Sequence, residues 1–214
     1  NISNIVIAYN RNYYDYISYL VKKIKSKKLN FIEANIHDPY DKIIKKNGNR
    51  IKHYLPYFIS SHWVALILKI LKLSNIKIIK IKKTIISKSI KGDLVNLDFI
   101  LKQGQGKILL KYNHLPNFPQ NHSIKFYFKN EVVELSPIET LKIHKQLKFI
   151  RNKNHNFYKL LTDNYFVKTN FKPGFRYLYF DFINHAIFKK RSKIVTNLKE
   201  LIAIYRVCEA IKNK

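Results

Sequence analysis

Acidic residues are scarce in this chain. Only 13 of its 214 residues are Asp or Glu, against 41 Lys or Arg, and the formal net charge at pH 7 is +28. Self-repulsion on this scale destabilises a compact domain in isolation, so a polyanionic partner is expected to supply the missing negative charge. The basic residues run from Arg11 to Lys214 among Ile, Phe and Tyr. This distribution predicts one folded body that contacts the phosphates of structured RNA on several sides.

Cysteine, glycine and proline are also rare. The chain has one Cys, five Gly and six Pro, which argues against a linker-rich or low-complexity protein. Because Cys208 is alone, an internal disulfide and a cysteine-rich metal site are excluded. The eight His are scattered, with no acidic or thiol ligand near His114 and His122. We therefore expect no metal and no cofactor.

Lys, Ile, Asn, Tyr and Phe are abundant instead. These residues have A/T-rich codons, so the composition indicates the base bias of an organellar or other A/T-rich genome, and we expect a mitochondrial location. With 46% hydrophobic residues the chain can bury a real core. Its longest apolar stretch, 54–73, has the length of a membrane span. It contains Pro56, Lys69 and Lys72, and these residues favour a pair of short buried helices over a span.

The pattern of apolar residues and turn signals predicts the secondary structure. In the first half it predicts a helix over 14–29, irregular chain over 30–49, helices over 50–58 and 61–72 with a Ser60 or Ser61 cap, a strand-turn-strand unit over 76–86 and a strand over 94–101. In the second half it predicts strands over 107–112, 123–128 and 132–135, a helix from Ser136 to Ile150, a strand over 175–182, and a final helix to Ile211 capped by Asn197 with Glu200.

The segment 50–97 resembles the RNA-binding module of the fourth small-subunit ribosomal protein. The features it shares are a basic helix start, an apolar helix face, a Ser-led second helix with a small inner residue, a basic hairpin and a closing turn. The first helix starts with Arg50-Ile51-Lys52 and has Leu55 and Phe58 on its apolar face. Ser60-Ser61 starts the second helix, and Ala65 is its small inner residue. The basic hairpin is Ile81–Ile86 and the closing turn is Ile90–Val95.

This resemblance implies an α+β fold in which a small RNA-binding module of two helices on a short sheet is flanked by an N-terminal helix and a C-terminal α+β extension. The implied division is 1–49, 50–101 and 102–214. The implied function is that of a structural constituent of a mitochondrial ribosome, with small-subunit rRNA and neighbouring ribosomal proteins as partners. The implied RNA-binding residues are Arg50, Lys52, Ser61, His62, Lys69, Lys77, Lys80, Lys82, Lys83 and Lys91.

Other interpretations stay open at this point. The segment 76–101 also resembles the fifth large-subunit ribosomal protein, through Lys82-Lys83-Thr84-Ile85 and Gly92-Asp93. An RNA-modifying enzyme and a membrane-associated organellar subunit are further alternatives. The run Gln103-Gly104-Gln105-Gly106-Lys107 lacks the spacing of a phosphate-binding loop, and no carboxylate pair stands out. We therefore predict no catalytic residue, no enzyme activity and no small-molecule substrate.

Overall fold

The computed structural model describes residues 7–36, 40–89, 92–101, 107–112, 122–151, 156–166, 173–189 and 196–212. Its α-helices are α1 (Tyr16–Ser26), α2 (Tyr40–Asn47), α3 (Ser61–Leu73), α4 (Phe175–Phe188) and α5 (Leu198–Lys212). Its strands are β1 (Leu29–Ile36), β2 (Ile78–Ser89), β3 (Gly92–Leu101), β4 (Lys107–Tyr112), β5 (Ser123–Phe128), β6 (Val132–Leu135), β7 (Thr140–Arg151) and β8 (Asn156–Phe166).

All of these strands belong to one eight-stranded sheet. The strand order is β2-β3-β4-β1-β5-β6-β7-β8. Strand β1 pairs with β4 in parallel and with β5 antiparallel, and the other neighbouring strands pair antiparallel. The first strand of the chain therefore lies inside the sheet, and later strands add on both sides of it.

One face of this sheet forms the core. Burial alternates along β1, where Ile32, Ala34 and Ile36 are fully buried and the residues between them are half-buried. These side chains belong to one apolar cluster with Leu20 of α1 and Leu66 of α3. Burying a side chain of this size contributes about 2 kcal/mol, so the helices are held on the sheet by their apolar stripes.

The opposite face of the sheet is polar and pairs its own charges. The Tyr127 hydroxyl donates to Glu33 Oε2 at 2.8 Å, and the His144 Nε2 atom lies 2.7 Å from Glu134 Oε2. Lys125 lies 3.7 Å from the same Glu134 carboxylate. The two faces thus differ as the alternation of side chains in a strand requires.

Several sequence predictions are confirmed. The helices at α1 and α3 and the strands β4, β5 and β6 lie where the apolar pattern puts them. The start of α5 is a capping box, in which the Glu200 amide donates to Asn197 Oδ1 and the Asn197 amide donates to Glu200 Oε2, both at 3.0 Å. These elements are set by local sequence, which explains why they are predictable.

The predicted helix from Ser136 to Ile150 is wrong. The Thr140 amide donates to the Pro137 carbonyl at 2.8 Å and the Ser136 amide donates to the Thr140 carbonyl at 3.1 Å, which closes a turn between β6 and β7. Beyond this turn Leu141 and Ile143 are buried on the core face. Pairing with both neighbouring strands outweighs the helix-start signal.

The predicted strand over 175–182 is also wrong, because these residues begin α4. Gly174 precedes the helix with φ +79°, and a Cβ there would meet the Asn10 carbonyl oxygen at 2.0 Å. Leu178 and His185, two turns apart, are the buried side chains of α4, whereas Tyr179 and Ile187 are 63% and 65% exposed. The spacing of a helix, and not the alternation of a strand, therefore determines which side chains of α4 are buried.

Four other local predictions need correction. The residues 30–49 form β1 and α2, and the predicted helix 50–58 is a 3-10 helix, Asn49–Tyr54, followed by a π-helical turn, Pro56–Ser60. The predicted strand-turn-strand unit over 76–86 is one strand, β2, which continues to Ser89. Ser60 makes no side-chain capping bond at α3.

The predicted small module of two helices on a short sheet is wrong as a description of the fold. Strands β2 and β3 are joined to the large sheet through β4, which lies beyond residue 101 and pairs with β3 through main-chain hydrogen bonds. The strands come from all three predicted segments, and the boundaries of the division remain a prediction. Within the described ranges, no helix is both long and apolar enough to cross a membrane.

The capping box predicts a stability loss. Asn197→Ala removes the side-chain acceptor at the start of α5, and we expect the free energy of unfolding to fall by about 1 kcal/mol. Lys199→Ala, a change of an exposed side chain in the same turn, is the control and should stay within about 0.5 kcal/mol of the parent. Urea denaturation measures both, and equal losses in the two variants would contradict the assigned cap.

Candidate ligand site

The predicted RNA-binding residues fall into separate places. Arg50 and Lys52 are exposed on the 3-10 helix, Lys77 is exposed just before β2, and Lys80 and Lys82 are exposed within it. Lys83 lies in β2 opposite Leu97, whereas Lys91 lies outside the described residues. The exposed lysines thus extend along one edge strand, and their role as contacts remains a prediction.

Lys69 and Ser61 lie in the interior instead. The Lys69 side chain is 2% exposed, and its Nζ lies 2.9 Å from both carboxylate oxygens of Glu200. Lys72 Nζ reaches the same carboxylate at 2.6 Å. Ser61 is 1% exposed and hydrogen bonds to the Tyr9 hydroxyl. Neither residue has the surface that contact with an RNA backbone requires.

The start of α3 brings together polar and aromatic side chains from distant parts of the sequence. The Arg11 guanidinium carbon lies 4.1 Å from the centroid of the Trp63 ring. The His122 ring lies 4.4 Å from Trp63, centroid to centroid, and the His62 ring contacts Tyr9 edge-on at 5.2 Å. We call Arg11, His62, Trp63 and His122 the α3 cluster.

Buried hydrogen bonds fix the 3-10 turn, Asn10–Tyr13, that carries Arg11. The side-chain nitrogen of Asn12 donates to Thr196 Oγ1 at 3.2 Å, and both residues are 1% exposed. The Asn10 side-chain nitrogen donates to the Pro173 carbonyl at 3.0 Å. The position of Arg11 thus depends on chain more than 160 residues away, and the turn is held rigidly.

The surroundings of Arg11 are also defined electrostatically. Burial is the main cause that raises the pKa of Tyr14 to about 12, and the Glu139 carboxylate raises it further while the Arg11 guanidinium acts in the opposite direction. The Tyr14 hydroxyl donates to Glu139 Oε1 at 3.2 Å. Tyr14 therefore stays protonated at neutral pH and stands between the cation and the carboxylate.

Sequence reasoning found only part of the α3 cluster. His62 was among the residues expected to bind RNA. No local pattern links Arg11 and His122 to each other, because they are 111 positions apart in the sequence. Two weak signals were present, since Trp63 is the only Trp of the chain and Arg11 is an Arg in a Lys-rich sequence.

A metal centre does not emerge from the geometry. Among the residues that can be described, no three His, Cys, Asp or Glu side chains come close enough together to hold an ion. Trp63 itself is 1% exposed, so what the α3 cluster offers at its surface is the half-buried guanidinium of Arg11 and the half-buried imidazoles of His62 and His122. A few polar groups placed close together in this way are a feature of sites for small molecules.

The fold is shared with solved structures of another class. It superposes with a TM-score of 0.60 on UDP-N-acetylglucosamine 3-dehydrogenase from Acidithiobacillus ferrooxidans, at 12% identity over 97% of this chain and 62% of that one. An inositol dehydrogenase homologue from Azotobacter vinelandii, complexed with NAD+, gives 0.66 at 8% identity over 96% and 61%. The transcriptional regulator Gal80p from Kluyveromyces lactis gives 0.62 at 14% identity over 96% and 56%.

These similarities concern the fold alone, because the identities are low. The chain spans about three fifths of the length of these proteins. No family model and no curated protein matches the sequence.

The resemblance to the two ribosomal proteins is therefore wrong. Nearly the whole chain superposes on dehydrogenases and a regulator rather than on ribosomal proteins, so rRNA and ribosomal proteins are not supported as partners. The expectations of no enzyme activity and no small-molecule substrate are contradicted by the same comparison, since two of these proteins are named as dehydrogenases, and the inositol dehydrogenase homologue was also solved with NADH and myo-inositol. Net charge reports on composition and solubility and does not determine a fold.

The parallel strand pair that the structure describes does not fit a dinucleotide. Dinucleotide sites use a glycine-rich turn between a strand and a helix of a parallel sheet. The one parallel pair in the described part of the sheet is β1 with β4, and the residues that join β1 to α2, His37-Asp38-Pro39, include no glycine. The described chain around β1 and β4 therefore lacks the turn that a dinucleotide site needs.

The ion pairs between Glu200 of α5 and the two lysines of α3, Lys69 and Lys72, predict that the stability of the fold depends on pH. Burial tends to raise the pKa of Glu200, but the hydrogen bonds from Lys72 and Lys69 lower it below its ordinary value on balance. The stabilisation is then complete above the pKa of an unfolded glutamate and is lost as the pH falls through the lower, folded value. Glu200→Gln leaves the Lys69 ammonium buried without a carboxylate, and we expect a loss of about 3 kcal/mol at pH 7.

Asp15→Asn is the matched control, since Asp15 is an exposed acid that makes no side-chain capping bond. Denaturant titrations at pH 7 and pH 3 measure both variants. The difference between Glu200→Gln and the parent should shrink at the lower pH, and a difference that is the same at both would count against the ion pair.

Proposed function

We propose that this chain is the substrate-binding part of an oxidoreductase that acts on a polyhydroxylated small molecule, such as a sugar or a cyclitol. The observation that carries the proposal is the α3 cluster. It places the Arg11 guanidinium and the His122 imidazole on the only tryptophan, with His62 against Tyr9 beside them, and a buried hydrogen bond holds the turn that carries Arg11.

The chemistry of the cluster suits such a substrate. The hydroxyl groups of a sugar or cyclitol need directional donors and acceptors. Arg11 donates, and each imidazole can donate or accept. Imidazole is also the side chain best suited to take a proton from a hydroxyl group near neutral pH, which gives His62 and His122 the role of candidate bases.

The named neighbours support this substrate class. One is a UDP-N-acetylglucosamine 3-dehydrogenase, and another was solved with NADH and myo-inositol. Oxidation of a hydroxyl group needs a hydride acceptor, and the described residues of this chain do not hold one. The part assigned to this chain is therefore binding, orienting and deprotonating the substrate.

A binding protein without redox activity is the second candidate. The mismatch with a dinucleotide favours it, and a transcriptional regulator shares the fold. In that case the α3 cluster recognises the same class of ligand and transmits its presence. The mitochondrial location expected from the codon pattern remains a prediction under either candidate.

Trp63 provides a direct test of ligand binding. Because it is the only Trp, all tryptophan emission of the chain comes from the α3 cluster. We expect myo-inositol to change this emission with a saturable dependence on concentration, and cyclohexanol, which has one hydroxyl group, to cause no saturable change. His122→Ala removes the ring that stacks on Trp63 and should weaken binding up to about tenfold.

His53→Ala is the matched control, because His53 is exposed on the 3-10 helix and should leave the affinity unchanged. Equal weakening by both substitutions, or no saturable response to myo-inositol or to UDP-N-acetylglucosamine, would sink the proposal. Formation of NADH when NAD+ and the ligand are added to the protein purified from its source separates the oxidoreductase from the second candidate.

A further inference from the structure

Arg11 carries a charge that no acid neutralises within the described ranges. In the described part of the chain it makes no ion pair, and its Nη1 atom is buried without a hydrogen-bond partner. Arg11 hydrogen bonds to the Tyr14 hydroxyl, which in turn donates to the Glu139 carboxylate at 3.2 Å, so this acid reaches Arg11 only through Tyr14. A guanidinium removed in part from water without a counter-ion is costly unless an anion pairs with it.

Other partly buried cations of this chain do have carboxylates. The Lys23 side chain is 10% exposed and lies 2.8 Å from Glu131, and the Lys69 side chain is 2% exposed and lies 2.9 Å from Glu200. Acids are scarce, yet these lysines are paired with them. Arg11 is the contrasting case, a partly buried cation that is left without an acid.

The guanidinium is nevertheless held in one place. It stacks on the Trp63 ring at 4.1 Å, and the turn that carries it is fixed by the hydrogen bonds of Asn10 and Asn12. The side chain is half-buried, so part of it can be reached from solvent. A planar guanidinium fixed in this way binds a carboxylate or a phosphate through two parallel hydrogen bonds, with little loss of side-chain entropy.

We infer that the ligand of the α3 cluster carries an anionic group, a carboxylate or a phosphate, and that Arg11 binds this group. The inference rests on the proposed function in that it takes the α3 cluster as the ligand site, and it narrows the substrate class to acidic or phosphorylated polyols. The imidazoles of His62 and His122 then contact the hydroxyl groups of the same molecule.

Titration of the full chain with three probes tests the inference. Tryptophan emission is recorded with glucuronate, with glucose 6-phosphate and with glucose, which share one ring and differ in charge. A charged hydrogen-bonded pair of this kind should give an affinity about tenfold or more above that of glucose. Tighter binding of glucuronate identifies a carboxylate as the group, and tighter binding of glucose 6-phosphate identifies a phosphate. Added salt should weaken binding of the preferred anion and leave glucose unaffected.

Arg11→Gln should abolish the preference for the anion, measured as the ratio of its affinity to that of glucose, and Arg11→Lys, which keeps the charge but not the planar donor pair, should retain part of this preference. Arg176→Gln is the matched control, because Arg176 is exposed and lies 5.8 Å from the Phe180 ring. If Arg11→Gln does not fold, the salt dependence of the parent and the result with Arg11→Lys decide.

The outcomes separate this inference from the proposed function. Glucose that binds as tightly as both anions, or an anion preference that survives Arg11→Gln, overturns the role of Arg11 and leaves the polyol site standing. No saturable binding of any of the three probes overturns both.

Discussion

The placement of β1 inside the sheet is the constraint on which the rest of the molecule depends. Its parallel pairing with β4 and antiparallel pairing with β5 force the first part of the chain to lie between strands formed much later. Because β5 begins at Ser123, opposite Asn35, the preceding residue His122 is brought to the end of β1. The α3 cluster is a consequence of this pairing, since α3 packs on the same core.

The scarcity of acids shapes the electrostatics of the whole fold. Glu131 pairs with Lys23 and Lys27, Glu200 pairs with Lys69 and Lys72, and Glu134 lies beside Lys125 and His144. In each case one carboxylate serves two basic side chains. None of these acids reaches Arg11. Because Arg11 is partly buried, its missing carboxylate is a reason to expect an anionic ligand, whereas an exposed lysine gains little from a partner.

The net charge does not distinguish an RNA-binding protein from other classes of protein. Exposed lysines such as Lys80 and Lys82 follow each other on one face of an edge strand, which matches an RNA-binding hairpin and also the charged edge that protects a sheet from association. A composition rich in Lys and Ile produces either pattern. Superposition of nearly the whole chain on dehydrogenases and a regulator separates them, because a fold is specified by many contacts and a charge pattern by few.

The sequence alone determined the elements whose signals are local. It predicted α1 and α3 from their apolar periodicity, β4 to β6 from alternation and turn residues, and α5 from the reciprocal hydrogen bonds of Asn197 and Glu200. Only the tertiary structure decided that the residues after Pro137 form a strand and that 175–188 form a helix, because pairing and burial there outweigh local preference. It also decided the site. Arg11, Trp63 and His122 meet through pairings over more than 50 residues, and no local pattern encodes contacts at that separation.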